Sequence, residues 1–303
     1  MITRGYKDFY MTFYYLIFVF SYVLSMLSTH GNKKYQLTAG TGLIAMSVYM
    51  VINGIVSAIP PMILMLIGAE AFEVSVYSVL MATATVVCAA ICVIGTLKAY
   101  EYGQVAVVTV FSTIGNIVLS CVWGVFFLRE RVSAYQIAAI VLMVLAVLII
   151  IVKKGERIRL NTLWLLAVVA VFTGLTSILG KQHQIEATYN AVNTLSYSVW
   201  IGVIRAILFG TLLLLLIKKE KPTLSRSALF HGTVSSVMSG TAYIATLVTA
   251  TVLPLTVTSP FGTAISILLN TVMAWIVYRE RLTVRQIAGI IICIVGIFVF
   301  AWS

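Results

Sequence analysis

Residues 111–140 and 261–290 align without a gap, and 12 of the 30 positions are identical. Phe111-Ser112-Thr113 meets Phe261-Gly262-Thr263, Arg129-Glu130-Arg131 meets Arg279-Glu280-Arg281, and Gln136-Ile137-Ala138 meets Gln286-Ile287-Ala288. An internal repeat constrains a fold more than any single motif, because each copy must make the same kind of unit. The offset is 150 residues, so the expected organisation is a first repeat over 1–152 and a second over 153–303.

The repeat is written in a strongly apolar alphabet. Hydrophobic residues make up 61% of the chain and charged residues 10%, against about 25% charged in an ordinary soluble domain. Apolar runs recur at spacings that read as ten spans. The first five cover about 9–28, 39–67, 75–97, 105–128 and 134–152, each long enough to cross a bilayer core. The second five cover about 161–180, 191–217, 228–250, 254–278 and 284–302. Within lipid only helices or a closed barrel satisfy the backbone, and these runs lack the period-two alternation of barrel strands. The expected fold is therefore an all-α membrane protein with ten transmembrane helices. Five spans per copy is an odd number, so the two copies enter the membrane from opposite sides and the repeat is inverted. In such folds the substrate site lies where the repeats meet.

A net charge of +11 would raise nucleic acid as a partner in a soluble protein. Here the Lys and Arg residues sit in short loops, where they set topology, so no nucleic-acid partner is expected. The lipid bilayer and a small-molecule substrate are. The more basic side carries Lys153, Lys154, Arg157, Arg159, Lys218, Lys219, Lys221 and Arg226, which favours both termini outside the cytoplasm. The stretch after Arg4 and Lys7 runs to about Ser28 without a small-x-small cleavage site and reads as a helix rather than a leader. Cys88, Cys92, Cys121 and Cys293 all fall inside apolar runs and read as buried thiols. Gly289 and Cys293 permit close packing of span ten, inside the monomer or in a homodimer that nothing else in the sequence indicates.

The Arg-Glu-Arg-(Val/Leu)-(Ser/Thr)-x-x-Gln-Ile-Ala-(Ala/Gly)-Ile block that closes each half resembles the drug/metabolite transporter superfamily, and within it the EamA-type ten-helix transporters. The resemblance is strongest over 105–150 and 254–302. It implies a plasma-membrane, multi-pass exporter of amino acids or related metabolites, with both termini in the cytoplasm, against the charge pattern. A glutamate after the fourth and ninth spans and a basic residue ending the sixth are common in that family, and Glu130, Glu280 and Lys181 match. The first span lacks the Trp and Asn often seen there. Spans one and six also lack the membrane-embedded glutamate of small multidrug-resistance relatives, which argues against a proton-swapping pump for lipophilic cations and for facilitated diffusion or exchange.

Local physics accounts for most of the repeated block. Ser133-x-x-Gln136 and Thr283-x-x-Gln286 have capping-box spacing at the starts of spans five and ten. Glu130 and Glu280 stand near those same helix N-termini, where a carboxylate is favoured. A polar stripe is more informative. Thr109, Thr113, Asn116 and Ser120 follow one face of span four, and Ser259, Thr263, Ser266 and Asn270 hold the matching positions in span nine. Small polar residues also join helices in lipid, yet a stripe the length of the helix in both copies points to a cavity lining. Ser239, Tyr243 and Thr246 in span eight, with Thr173, Ser177 and Lys181 in span six, extend the pattern.

Arg205 is the outlier. It lies about 13 residues from Lys218 and 15 from Asn190, roughly 20 Å of helix each way, too far for easy snorkelling. An ionised side chain at that depth faces the bundle interior or a watery cavity. No mid-span acid is evident to pair with it. The reading is attraction of an anionic or carboxylate-bearing solute, helped by Lys181. His30 and His183 sit at span ends and are expected to be solvated. The rival class is a membrane-embedded enzyme, but the chain holds no HExxH, GxSxG or GxxxxGKS, and its stripes are hydroxyls and amides without a base. No cofactor or metal is expected.

Overall fold

The structure, a computed structural model, describes residues 2–102, 105–151, 160–217, 225–278 and 283–301. Eleven helices occupy them, and no strand occurs among the described residues. They are α1 (Ile2–Ala39), α2 (Leu43–Ser57), α3 (Ile59–Gly68), α4 (Val76–Tyr102), α5 (Val105–Phe126), α6 (Ala134–Ile151), α7 (Leu160–Ile185), α8 (Thr194–Leu216), α9 (Arg226–Val252), α10 (Leu255–Tyr278) and α11 (Val284–Ala301).

Among the described residues, six stretches are long and apolar enough to cross a membrane: Met11–Ala39, Leu43–Gly68, Val76–Thr96, Leu163–Ile185, Thr194–Leu216 and Leu255–Val277. Shorter apolar helices run over Ser112–Phe126, Ala134–Ala146 and Ile287–Gly296. α9 is diluted by Thr233, Ser235, Ser236 and Ser239, of which Ser235 and Ser239 bond to side chains of neighbouring helices. Bulky apolar side chains such as Leu66, Phe126 and Val284 point outward, as lipid-facing positions do.

The second expected span is two helices. α2 stops at Ser57, and α3 restarts with Pro60 and Pro61 in its first turn, where missing backbone N–H groups cost least. The first expected span is too short. α1 continues through Lys33 and Lys34 to Ala39, because lysine is a good helix former and its stem can lie along the helix. What ends α1 is Gly40, at φ 90°, a conformation that strongly favours glycine.

The chain divides into two compact units, Met1–Val86 with His183–Thr251, and Val87–Gln182 with Val252–Ser303. Each takes residues from both sequence halves, so packing and repeat partition the chain differently. In the first unit α2 and α8 cross at two glycines. A Cβ on Gly54 would stand 2.5 Å from the Ala206 nitrogen, and one on Gly202 2.6 Å from the Gly54 oxygen. Only hydrogen lets the backbones approach that closely. In the second unit α5 meets α7 the same way, with a Cβ on Gly115 falling 2.4 Å from the Ala170 oxygen.

Candidate functional site

Close crossing of α2 and α8 brings Asn53 to Arg205. The guanidinium Nη1 donates to the Asn53 Oδ1, and Asn53 Nδ2 donates to the Ser239 Oγ of α9 at 2.8 Å. Arg205 sits 11 residues from either end of α8, so about 16 Å of helix separates it from each end. Its partner is a neutral amide and not an acid, so one donor is satisfied and the whole positive charge is kept. Tyr49 and Tyr243 act on it electrostatically. The Tyr243 hydroxyl is buried and has no hydrogen-bond partner among the described residues. Tyr49 is engaged: its hydroxyl lies 2.8 Å from the Ser235 Oγ, which in turn donates to the Ser28 carbonyl at 2.7 Å.

The second unit joins the other stripes. Ser112 and Thr173 hydroxyls lie 3.1 Å apart, and Ser177 Oγ donates to Asn116 Oδ1 at 2.7 Å. Both pairs are 61 residues apart, and stepping four residues along α5 matches four along α7. The two helices therefore run parallel, with their polar faces opposed. The next pair in the series is Ser120 and Lys181. Ser120 is fully buried and its Oγ has no partner among the described residues. Lys181 is 7% exposed, and its Nζ donates to the Leu253 carbonyl at 2.8 Å. From α10, Ser259 Oγ donates to the Asn116 carbonyl at 3.1 Å, which occupies the acceptor that Ser120 would otherwise reach one turn back.

The remaining stripe residues behave differently. Thr113 and Ser266 are half-buried. Thr263 Oγ1 returns to the Ser259 carbonyl at 2.8 Å. Asn270 is exposed and donates to the Ser266 carbonyl and hydroxyl of its own helix. The side chain of Thr109 lies outside the described residues, as do Arg279, Glu280 and Arg281 with the side chain of Gln286. Spans four, six and nine meet in the second unit, whereas span eight contributes Ser239 and Tyr243 to the first.

Two expectations are corrected. His183 is not solvated: it is 1% exposed, its ring stacks on Tyr197 at 3.6 Å between centroids, and its Nε2 lies 2.9 Å from the Ser78 Oγ. A histidine at a span end is protected when the next connection folds back on it, as Val192 does by donating to the same Ser78 oxygen. Glu130 serves a helix N-terminus, but not that of α6. Its Oε1 accepts from the Leu255 amide at 2.7 Å, and its Oε2 accepts from the Thr256 amide and hydroxyl at 2.8 and 2.7 Å. It caps α10. α6 is capped locally: Gln136 N donates to Ser133 Oγ and Ser133 N to Gln136 Oε1, the capping box read from the sequence. Sequence reasoning also missed Asn53. The available signal was a lone amide in the apolar run Tyr49–Ile59.

Residues 160–302 match the EamA-like transporter family. This is the group that the repeated Arg-Glu-Arg block resembles. No curated protein sequence matches the chain. A solved crystal structure superposes with a TM-score of 0.75 at 12% identity, covering 95% of this chain and 96% of the other. At that identity the likeness is one of fold. The second half of the chain thus matches a transporter family, and the described residues include helices long and apolar enough to cross a bilayer.

Proposed function

We propose that the chain is a secondary transporter that moves a small anionic metabolite, an amino acid or an organic acid, by alternating access. In this reading ten spans form an inverted repeat of five and five, over 1–152 and 153–303, in the plasma membrane with export as the working direction. Arg205 and Tyr243 are the recognition groups. The α5 and α10 stripes, including Thr113, Asn116, Ser120, Ser259, Thr263 and Ser266, supply polar lining. Lys181, whose Nζ donates to the Leu253 carbonyl, and Asn270, which donates within its own helix to Ser266, contribute less directly.

One observation carries the proposal. A guanidinium at the midpoint of an apolar helix meets a neutral amide where a structural ion pair would place a carboxylate. An ion at that depth costs several kcal/mol, and a carboxylate that arrives and leaves with the solute would repay part of it on each visit. The unpartnered Tyr243 hydroxyl offers a further donor near the same charge.

The test is a thermal-shift screen of the purified protein in detergent, on wild type and Arg205→Gln, against amino acids, organic acids, sugars and cationic drugs. A ligand at about 100 times its Kd adds roughly 2.7 kcal/mol of stability. Carboxylates should stabilise the wild type and not the variant. Equal stabilisation of both proteins would remove Arg205 from the site. Stabilisation confined to sugars or cations would reject the anionic substrate class.

A further inference from the structure

α10 starts under unusual conditions. Two residues, Leu253 and Pro254, separate it from the preceding helix, and Pro254 stands where a side chain would cap it. Proline has no oxygen on its side chain to offer, so the first amides of α10 need an acceptor from elsewhere. Glu130 supplies it with both carboxylate oxygens. On the other side of Pro254, Lys181 holds the Leu253 carbonyl. The geometry is close: a Cβ on Gly124 would stand 2.6 Å from Glu130 Oε2 and 2.7 Å from Thr256 Cγ2. Arg129, at φ 54°, takes the sharp turn that aims Glu130 back at α10.

A second proline isolates the same segment. Pro260 lies inside α10 and has no N–H, so the Thr256 carbonyl loses its helical donor. Ser259, just before it, is tied outward to the Asn116 carbonyl. Leu255–Ser259 is therefore a short helical piece bounded by prolines, with outside contacts from Glu130 at its start and from the Asn116 carbonyl of α5 at Ser259.

We infer that Glu130 and Lys181 are positioning residues. They form a charge-assisted clamp on the start of α10 that fixes where Ser259 and Thr263 stand against α5. The consequence for ligand binding rests on the transporter reading; the clamp itself does not.

The experiment uses the full chain in detergent and measures alkylation by N-ethylmaleimide at each native cysteine by mass spectrometry. Cys293 of α11 is fully buried, with its Sγ 3.8 Å from the Ala264 carbonyl, so it reports the seating of α10. Cys92, held by Thr173 and the Val169 carbonyl, reports loosening away from α10. Replacing Glu130 with Gln removes the charge and keeps the shape, and should speed Cys293 alkylation about tenfold, the loss expected of a charge-assisted bond. Thr256→Val removes one of the three bonds and should give a smaller gain, on the order of threefold. Lys181→Met should behave like Thr256→Val, while Lys181→Arg, which keeps a donor for Leu253, should leave Cys293 protected.

An unchanged Cys293 rate in Glu130→Gln overturns the clamp. So does a parallel rise at Cys92 in both Glu130→Gln and Thr256→Val, which would show general loosening. If the ligand screen finds nothing while Cys293 responds as expected, the transporter reading fails and the clamp stands.

Discussion

α8 and α10 both begin under a carboxylate from a distant loop, but they depend on it differently. α8 has its own cap: Asn193 accepts from the Ser196 amide at 2.8 Å. Glu73 comes from the connection after α3 and accepts from the Asn193 amide at 2.7 Å, while its own amide donates to Ser196 Oγ at 3.0 Å. That entry is doubly served, and Glu73 is exposed. α10 begins after Pro254, which cannot cap, and Glu130 carries both of its first amides while half-buried. The same residue type thus supplements a helix start in one unit and replaces one in the other. A capping carboxylate matters in proportion to what the local sequence fails to provide.

The largest effect should follow from Glu130→Ala. It strands two amides and the Thr256 hydroxyl around the start of α10, and each buried group left without a partner costs about 1–3 kcal/mol. The thermal midpoint should fall by more than in any single substitution at α8, read by fluorescence-detected unfolding in one detergent. A fall no larger than that of Glu73→Ala would break the comparison.

Next in size is the double substitution Asn193→Ala with Glu73→Ala, which converts the α8 entry into one as poorly served as α10 would be without Glu130. Asn193→Ala alone should cost about 1 kcal/mol, as caps do, and Glu73→Ala less than about 1 kcal/mol, because an exposed charge is screened by water. The pair should cost more than the sum, since each single variant leaves the other group in place. Strict additivity would mean that the two caps do not share work.

How much of this was legible in the sequence depends on whether the cause was local. Apolar runs fixed the course of most helices to within a few residues, because burial in lipid is decided along a single segment. The capping box at Ser133 and Gln136 was legible for the same reason. α1 was read too short because two lysines were taken for a loop, whereas the stop signal was Gly40. Asn53, the Glu130 contact and the burial of His183 were not legible, since each joins residues far apart in the chain. The separations are 152 residues for Arg205 with Asn53 and 125 for Leu255 with Glu130. A usable hint did exist at Pro254: a helix start without Ser, Thr, Asp or Asn before it must borrow its acceptor.

The smallest effect separates borrowed caps from owned ones. Ser133→Ala removes one arm of the α6 capping box but leaves Gln136 in place. α6 is nearly all apolar beyond its first turn and is held along its length by Ala139, Met143 and Ala146, all buried. The loss should be about 0.5–1 kcal/mol, at the low end for caps. Cys121, one turn before Gly124 on α5, should keep its alkylation rate in Ser133→Ala and gain in Glu130→Ala. If Ser133→Ala exposed Cys121 as much as Glu130→Ala did, the turn between α5 and α6 would be governed by its local box, and Glu130 would be a passenger of that turn rather than the anchor of α10.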